Sequence, residues 1–330
     1  MDVSIIIPAF NAEKTIKACI ESILCQKTGK KFEIIVIDDG SKDKTAEIAS
    51  SFKKARLLRQ KNSGPAVARN NGARQAKAPV IIFTDSDCLL DENWLEEMLS
   101  PLTNPKVAGV QGKYKSSQKE LMACFVQREI EERYEQMKKT EFIDFMGSYS
   151  AAFRKKDFLA FNGFDESFPM ASGEDTDLSF RMSSKGLRFK FAEKAIVWHQ
   201  HPKSFLKYLK TKFFRAFWRV KLYNKNRSKI AKDSYTPQFI KFQIGFLWLS
   251  IISIIAFWAS KIFGFLQFLP FAFLSAVFLL LCIAISLPKA EFMAKKQIML
   301  GIAAFPIDFL VSFAFSLGLL AGTIKEAFSK

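Results

Sequence analysis

The last third of the sequence contains three apolar stretches, at about residues 239–259, 265–287 and 298–323. A helix needs about 20 apolar residues to cross the hydrocarbon core of a bilayer, and each stretch reaches that length. Core helices of soluble domains are rarely so long and so evenly apolar. We therefore predict a membrane domain over residues 239–330 with three transmembrane helices.

Positive charge is concentrated directly before this membrane domain. The chain has a formal net charge of +17, and the stretch from Lys203 to Lys241 contains twelve lysines or arginines and one acid. Aromatic residues interleave with these cations at helical spacing, which is typical of an amphipathic helix in the lipid headgroup layer. We predict such an interfacial segment over residues 203–238, with membrane lipids as its partner. A helix packed on the soluble domain is the alternative. No nucleic-acid-binding motif accompanies the charge, so we expect no nucleic-acid partner.

The loops between the apolar stretches differ in charge. Lys289, Lys295 and Lys296 precede the third stretch, whereas Lys261 alone follows the first. Because cytoplasmic loops carry an excess of positive charge, we expect a multi-pass protein of the cell membrane whose N-terminal part is cytoplasmic. The scattered cysteines and the lack of a signal-peptide pattern agree with a reducing compartment. Asp308 lies inside the third stretch, where an acid is costly; a partner, a lipid pyrophosphate path and the membrane interface remain open for it.

In residues 1–202, strand patterns alternate with helix patterns, as in an α/β domain. Short buried-strand patterns occur at Val3–Ile7, Phe32–Ile37 and Val80–Phe83, and helix patterns follow the first two. Strands connected in this way pair in parallel with right-handed crossovers. Their carboxyl ends then meet at one edge of the sheet, which is where open α/β sheets bind ligands.

Two carboxylates follow the third of these strands. Asp85 and Asp87 point the same way from an extended segment, roughly 6–7 Å apart along the chain, and could share one hard divalent cation. A turn with solvated acids is the alternative. Arg69, in a glycine-bearing loop that enters a helix, could contact a phosphate or could serve ordinary helix chemistry. The acids at Glu174 and Asp175 suit a helix N-terminus equally well without any catalytic role.

Five motifs in order resemble family 2 glycosyltransferases, which invert the configuration of the sugar and have a GT-A fold. The motifs are Val3-Ser4-Ile5-Ile6-Ile7-Pro8-Ala9-Phe10-Asn11, Val36-Ile37-Asp38-Asp39-Gly40-Ser41, Ala68-Arg69-Asn70-Asn71-Gly72, Thr84-Asp85-Ser86-Asp87 and Gly173-Glu174-Asp175-Thr176-Asp177-Leu178. The resemblance implies a Rossmann-like α/β domain of the nucleotide-diphospho-sugar transferase type over residues 1–202. Its sheet would be mixed and mainly parallel, and C-terminal transmembrane helices would follow it.

The resemblance also implies a nucleotide-diphosphate-sugar donor and assigns roles to particular residues. The donor-binding residues would be Pro8, Phe10, Asn11, Asp38, Asp39, Arg69, Asp85, Ser86 and Asp87. Mg²⁺ or Mn²⁺ would be held by Asp87, helped by Asp85, and His199 matches a position near metal or diphosphate. Asp175, beside Glu174, would be the general base, and Arg181 and His199 would contact the acceptor or the diphosphate.

The general base that the resemblance implies indicates which chemical class of acceptor the chain uses. A sugar hydroxyl needs deprotonation, whereas a polyprenyl phosphate is already anionic. We therefore expect transfer to a hydroxyl, on a lipid-linked glycan in the assembly of cell-surface polysaccharide or glycoprotein glycans. The alternative is a polyprenyl-phosphate glycosyltransferase that acts on dolichyl or undecaprenyl phosphate. The Gln-x-x-Arg-Trp motif of processive synthases is missing around Phe214-Arg215-Ala216-Phe217-Trp218-Arg219, so we expect transfer of a single sugar.

Overall fold

The computed structural model describes residues 1–169, 172–226, 238–263 and 269–328. The chain forms two compact units. The first consists of Met1–Lys119, Ile130–His201 and Lys225–Lys229, and the second of Glu120–Glu129, Pro202–Asn224 and Ile230–Lys330. Residues 227–237 of the predicted interfacial segment and residues 265–268 of the second predicted span lie outside the described residues.

Among the described residues, eight strands form one sheet in the first unit. They are β1 (Val3–Ala9), β2 (Phe32–Asp38), β3 (Ala55–Arg59), β4 (Val80–Thr84), β5 (Leu89–Leu90), β6 (Val107–Lys115), β7 (Ser150–Arg154) and β8 (Arg188–Trp198), in the spatial order β3-β2-β1-β4-β7-β6-β8-β5. β1 pairs in parallel with β2 and β4, and the pairs β2–β3 and β6–β8 are also parallel. β7 pairs antiparallel with β4 and β6, as β5 does with β8. The prediction of a mixed, mainly parallel sheet is thereby confirmed.

Helices flank these strands along the chain. They are α1 (Ile16–Leu24), α2 (Thr45–Ser50), α3 (Pro65–Gln75), α4 (Trp94–Leu99), α5 (Leu121–Lys138), α6 (Lys155–Ala160) and α7 (Glu174–Ser184). In β1, Ile5 and Ile7 belong to one apolar core and Ile6 to the core on the other face, and all three are fully buried. Burial on both faces explains why the strand is an unbroken apolar run and does not alternate with polar residues.

β3 is a strand that the sequence patterns do not reveal. β3 was not expected, because this strand at the edge of the sheet is only half-buried and its pattern Ala-Arg-Leu-Leu-Arg is weak. α1 begins at Ile16, since the residues before it belong to the loop after β1. Residues Arg188–Trp198 form one strand of eleven residues.

The second unit contains four further helices among the described residues: α8 (Phe205–Lys225), α9 (Gln238–Ile262), α10 (Leu269–Ala294) and α11 (Ile298–Phe328). The last three are long and apolar enough to cross a membrane. α10 continues seven residues past the predicted end of its span at residue 287, through Pro288. Pro306 likewise lies inside α11.

α8 packs closely against α11. A Cβ atom at Gly318 would lie 2.3 Å from the carbonyl oxygen of Phe213, and one at Gly322 would lie 2.4 Å from that of Phe217. Two glycines four residues apart therefore let the two backbones approach, as small residues do between membrane helices. The buried face of the basic-aromatic helix thus contacts another helix of its own unit.

A cluster of charged side chains joins α8, α10 and α11 to the part of α5 that belongs to this unit. Lys289 Nζ lies 2.6 Å from Asp308 Oδ1 and 3.6 Å from Glu129 Oε1. Lys212 Nζ lies 2.8 Å from both oxygens of Glu129, to which Tyr208 also donates a hydrogen bond. Two cations and two carboxylates balance, so their burial does not leave a net charge. Asp308, whose role the sequence left open, is the counter-ion of Lys289.

We expect Lys289→Met to destabilise the chain strongly, by about 3–5 kcal/mol, because Asp308 would remain buried without its cation. The double variant Lys289→Met/Asp308→Leu should recover most of that loss, since it removes both charges and leaves Glu129 paired with Lys212. Denaturant unfolding of the purified chain in detergent measures both effects. A double variant as unstable as the sum of the two single variants would contradict the ion-pair interpretation.

Candidate active site

The carboxyl end of β1 opens on a cavity. β1 lies between β2 and β4, so the loops after these strands diverge from one edge of the sheet. The cavity measures about 420 Å³, and four predicted donor-binding residues line it. They are Phe10, Asn11, Ser86 and Asp87. Its other lining residues are Ala12, Glu13, Lys14, Thr15 and Asp43. Pro8 lies just before them in β1.

Asn11 shapes the rim of this cavity. Its φ angle of 49° places it in the left-handed region, which Asn tolerates better than most residues. Its side-chain oxygen accepts a hydrogen bond from the backbone N–H of Lys42, and its own N–H donates to Ser41 Oγ. The loop after β1 is therefore tied to the loop after β2.

Asp38 and Asp39 are buried and serve the loops around the cavity. Asp38 accepts hydrogen bonds from the Ser41 N–H and from Arg59. Asp39 accepts from the side chain of Gln60 and from two backbone N–H groups at the start of α3, those of Ser63 and Gly64. Both carboxylates hold the backbone in place, and their direct contact with a nucleotide stays a prediction.

Arg69 is buried between two acids. Its Nη2 lies 2.7 Å from Asp85 Oδ1, and its Nη1 lies 3.2 Å from Glu174 Oε1. The other oxygen of Glu174 accepts from the N–H groups of Ser172 and Gly173. Burial favours a lower pKa for the guanidinium, but Asp85 and Glu174 outweigh it and raise the pKa of Arg69. Arg69 therefore joins the end of β4 to the start of α7.

Asp87 meets His199 at the same edge of the sheet. Asp87 Oδ2 lies 3.4 Å from His199 Nε2, and the Asp87 side chain is half-exposed. Burial acts to raise the pKa of Asp87, but the hydrogen bond and charge of His199 bring it below its ordinary value. The carboxylate is thus anionic at neutral pH, as a ligand for a cation must be.

The possible metal-ligand atoms around Asp87 suit a hard divalent cation. One ligand atom each of Asp85, Asp87 and Cys88 lie within 4.8 Å of one another. Burial first, and then the two neighbouring carboxylates, raise the pKa of the Cys88 thiol, so it stays protonated and is a poor ligand. The two carboxylates remain, and the imidazole of His199 lies 3.4 Å from Asp87; carboxylate oxygens and an imidazole fit Mg²⁺ or Mn²⁺.

The environment of His199 is a feature that the sequence did not reveal. Its ring lies on Tyr114, with centroids 4.7 Å apart, and Tyr114 stacks on Tyr149 at 3.6 Å. His199 Nδ1 lies 3.3 Å from Nδ1 of the buried His201. Burial and the charge of His199 lower the pKa of His201 to about 4, so His201 is neutral at neutral pH. The spacing His-x-His was the one signal that could have suggested this pair.

Asp175 and Arg181 have different surroundings within α7. Asp175 is half-buried in the first turn, where its Oδ1 accepts from the N–H of Thr176. Arg181 binds Asp177 and the carbonyl oxygens of Phe161 and Gly163. It lines a second cavity, of about 410 Å³, which shares no lining residue with the first. The predicted contact of Arg181 with acceptor or diphosphate stays a prediction.

Comparison with known protein families identifies the N-terminal domain. Residues 4–161 match the model of the family described as "Glycosyl transferase family 2". The N-terminal domain belongs to glycosyltransferase family 2. The predicted family and transferase class are thereby confirmed. The match ends before Glu174, Asp175 and His199, so the roles predicted for these residues stay predictions.

Relatives of the family 2 domain come from archaea and bacteria. Glycosyltransferase AglE of Haloferax volcanii is 35% identical over 116 residues, which cover 33% of this chain and 38% of AglE. Chondroitin synthase of Escherichia coli is 27% identical over 238 residues, 60% of this chain and 34% of the synthase. The chain therefore spans little more than a third of the length of these relatives.

A solved structure shares the fold over nearly the whole chain. It is the mannosyltransferase PcManGT from Pyrobaculum calidifontis, in complex with GDP-Man and Mn²⁺. The similarity covers 99% of this chain and 87% of that one, with a TM-score of 0.60 and 19% sequence identity. At this identity the likeness establishes the GT-A fold.

We expect Arg69→Met to destabilise the chain by about 3–5 kcal/mol, because Glu174 would stay buried without a counter-ion. Denaturant unfolding of the purified chain measures this loss. Arg74→Met is the matched control on the same helix: its pair with Glu166 is exposed and should contribute less than about 1 kcal/mol. An equal loss for both variants would contradict the interpretation.

Proposed function

We propose that the chain is a membrane-bound, inverting glycosyltransferase that moves one sugar from a nucleotide-diphosphate-sugar to a hydroxyl acceptor. The observation that carries this proposal is that the acids near the sheet edge differ in their contacts and surroundings. The Glu174 carboxylate binds Arg69 and two backbone amides. Asp87 lies beside His199 at a cavity, and Asp175 is half-buried at the start of α7.

The donor would bind in the cavity beside Asp87. Its volume of about 420 Å³ lies within the range of small-molecule sites. Asp87, Asp85 and His199 would hold Mg²⁺ or Mn²⁺, which neutralises charge on the departing diphosphate. The complex of the structurally similar mannosyltransferase with GDP-Man and Mn²⁺ supports this choice of donor and metal class.

Asp175 would act as the general base. In a single displacement, the acceptor oxygen forms a bond to the anomeric carbon while the bond to the nucleoside diphosphate breaks, which inverts that carbon. The acceptor proton passes to the Asp175 carboxylate, because a neutral hydroxyl is a weak nucleophile. A phosphate acceptor would not need this step, so the base favours a hydroxyl on a lipid-linked glycan.

The apolar helices would anchor the enzyme in the cell membrane. α9, α10 and α11 are each long and apolar enough to cross it. The lysines near the connection between α10 and α11 favour the cytoplasmic side for that connection. The catalytic domain would then face the cytoplasm, where nucleotide-sugars and the inner-leaflet lipid acceptor are both within reach.

We expect Asp175→Asn to lower kcat about 10²–10⁴-fold, the usual contribution of a general base, with little change in donor binding. Asp87→Ala should instead raise the metal concentration needed for turnover, because it removes a ligand. Release of nucleoside diphosphate from a panel of sugar nucleotides, with and without Mn²⁺, measures both effects. Asp157→Asn, the same chemical change on α6, should behave as wild type. Wild-type turnover in Asp175→Asn with saturating acceptor would refute the assignment of the base.

The acceptor class can be tested separately. With a matching donor, we expect glycosylation of a lipid-linked sugar and no product when undecaprenyl or dolichyl phosphate is the sole acceptor, because Asp175 serves a hydroxyl. Thin-layer chromatography of labelled lipid products distinguishes the two. A sugar-phosphate lipid that forms equally well in Asp175→Asn would establish the polyprenyl-phosphate alternative.

A further inference from the structure

The two histidines of the chain lie together just beyond the end of β8. The sequence contains no others. The backbone N–H of His199 donates to the carbonyl of Lys115 at 2.9 Å, which continues the pairing of β8 with β6 by one residue. His199 therefore has a defined position relative to the sheet.

His201 is held in place from both sides of its backbone. Its N–H donates to Gln118 Oε1, and its carbonyl accepts from Gln118 Nε2 at 3.1 Å. The residue is 5% exposed, and its ring meets Tyr114 edge-on at 6.1 Å. Since both backbone groups are engaged by one side chain, the imidazole is directed toward His199 by a fixed backbone.

The contact between the two rings constrains their protons. The Nδ1 atoms lie 3.3 Å apart, so one of them must donate and the other accept. His199 presents its other nitrogen, Nε2, to Asp87. Without a cation, Nε2 of His199 can donate to Asp87; with a cation bound beside Asp87, Nε2 must instead offer it a lone pair, and the proton of a neutral His199 then sits on Nδ1. His201 Nδ1 is then the acceptor, and His201 carries its own proton on Nε2.

We propose that His201 is a positioning residue that fixes His199 as the Nδ1–H tautomer and so leaves His199 Nε2 available for the divalent cation. The inference rests on the proposed function, because it presupposes a metal beside Asp87. Partners of this kind normally raise the affinity of a metal-ligating histidine by fixing its orientation and tautomer. Here that partner is another histidine, where a carboxylate or a carbonyl is more usual.

The tautomers can be read directly. With ¹⁵N-histidine, the signals of the full-length chain come from only two imidazole rings, and His199→Ala assigns them. In long-range ¹H–¹⁵N spectra with saturating Mg²⁺, we expect His199 protonated on Nδ1 and His201 on Nε2. Addition of Mg²⁺ should shift the Nε2 signal of His199. A proton on Nδ1 of His201 in the presence of Mg²⁺ would overturn the proposal without requiring any substitution at His201.

Metal affinity gives an independent readout. Titration of the full chain in detergent with Mn²⁺ alone, followed by the free Mn²⁺ signal in electron paramagnetic resonance, should show about tenfold weaker binding for His201→Leu. His201→Asn should restore most of the affinity, because Asn Oδ1 can accept the same hydrogen bond. In the His199→Ala background, His201→Leu should have no further effect.

The outcomes separate this inference from the proposed function. If wild type binds Mn²⁺ in an Asp87-dependent manner but His201→Leu and His201→Asn bind equally well, the positioning role fails and the metal site stands. If wild type binds no Mn²⁺, or Asp87→Ala binds as wild type does, both proposals fail. A loss shared by the Leu and Asn variants would indicate a merely structural role for His201 and would overturn the inference.

Discussion

The buried ion triad of Arg69, Asp85 and Glu174 fixes the geometry of the candidate active site. A guanidinium is the cation best suited to join two carboxylates, because its planar fork presents several donors in fixed directions. Its partners come from the end of β4 and the first turn of α7, so the arginine sets the distance between the strand that carries Asp85 and the helix that carries Asp175. Without it, the buried Glu174 would lose its compensating charge.

The triad explains both the success and the limits of the sequence patterns. The acids at Asp85 and Asp87 could be placed at the sheet edge because a buried strand cannot continue through them. The function of Arg69 could not be foreseen in the same way. An arginine at a helix start looks the same in sequence whether it faces a phosphate or two carboxylates, and only tertiary contacts distinguish the two. Asp38 and Asp39 are similar cases, since they bind Arg59, the last residue of β3, and Gln60, directly after it, and the pattern did not reveal that strand.

Buried charges are also paired with opposite charges in the apolar helices. Asp308 is isolated in the sequence, surrounded by apolar residues, and its partner Lys289 lies on the preceding helix. The sequence predicts that these helices exist, because the length and the apolar character of a stretch are local properties. Pairing between helices depends on how their faces meet, which explains why the ion pair and the close approach at Gly318 emerge only from the structure.

The position of His199 depends on an irregularity in the sheet. Gln111 of β6 is level with Phe191 of β8, yet Lys113 is level with Ile196, so β8 advances by five residues while β6 advances by two. Had the first register continued, Lys115 would face Ala195, and His199 would lie beyond the end of β6. The extra residues bring Trp198 level with Lys115 and so bring His199 to the edge that carries Asp87. Because bulges re-aim side chains next to functional sites, this interruption of the strand is best understood as the feature that delivers the imidazole to the acids.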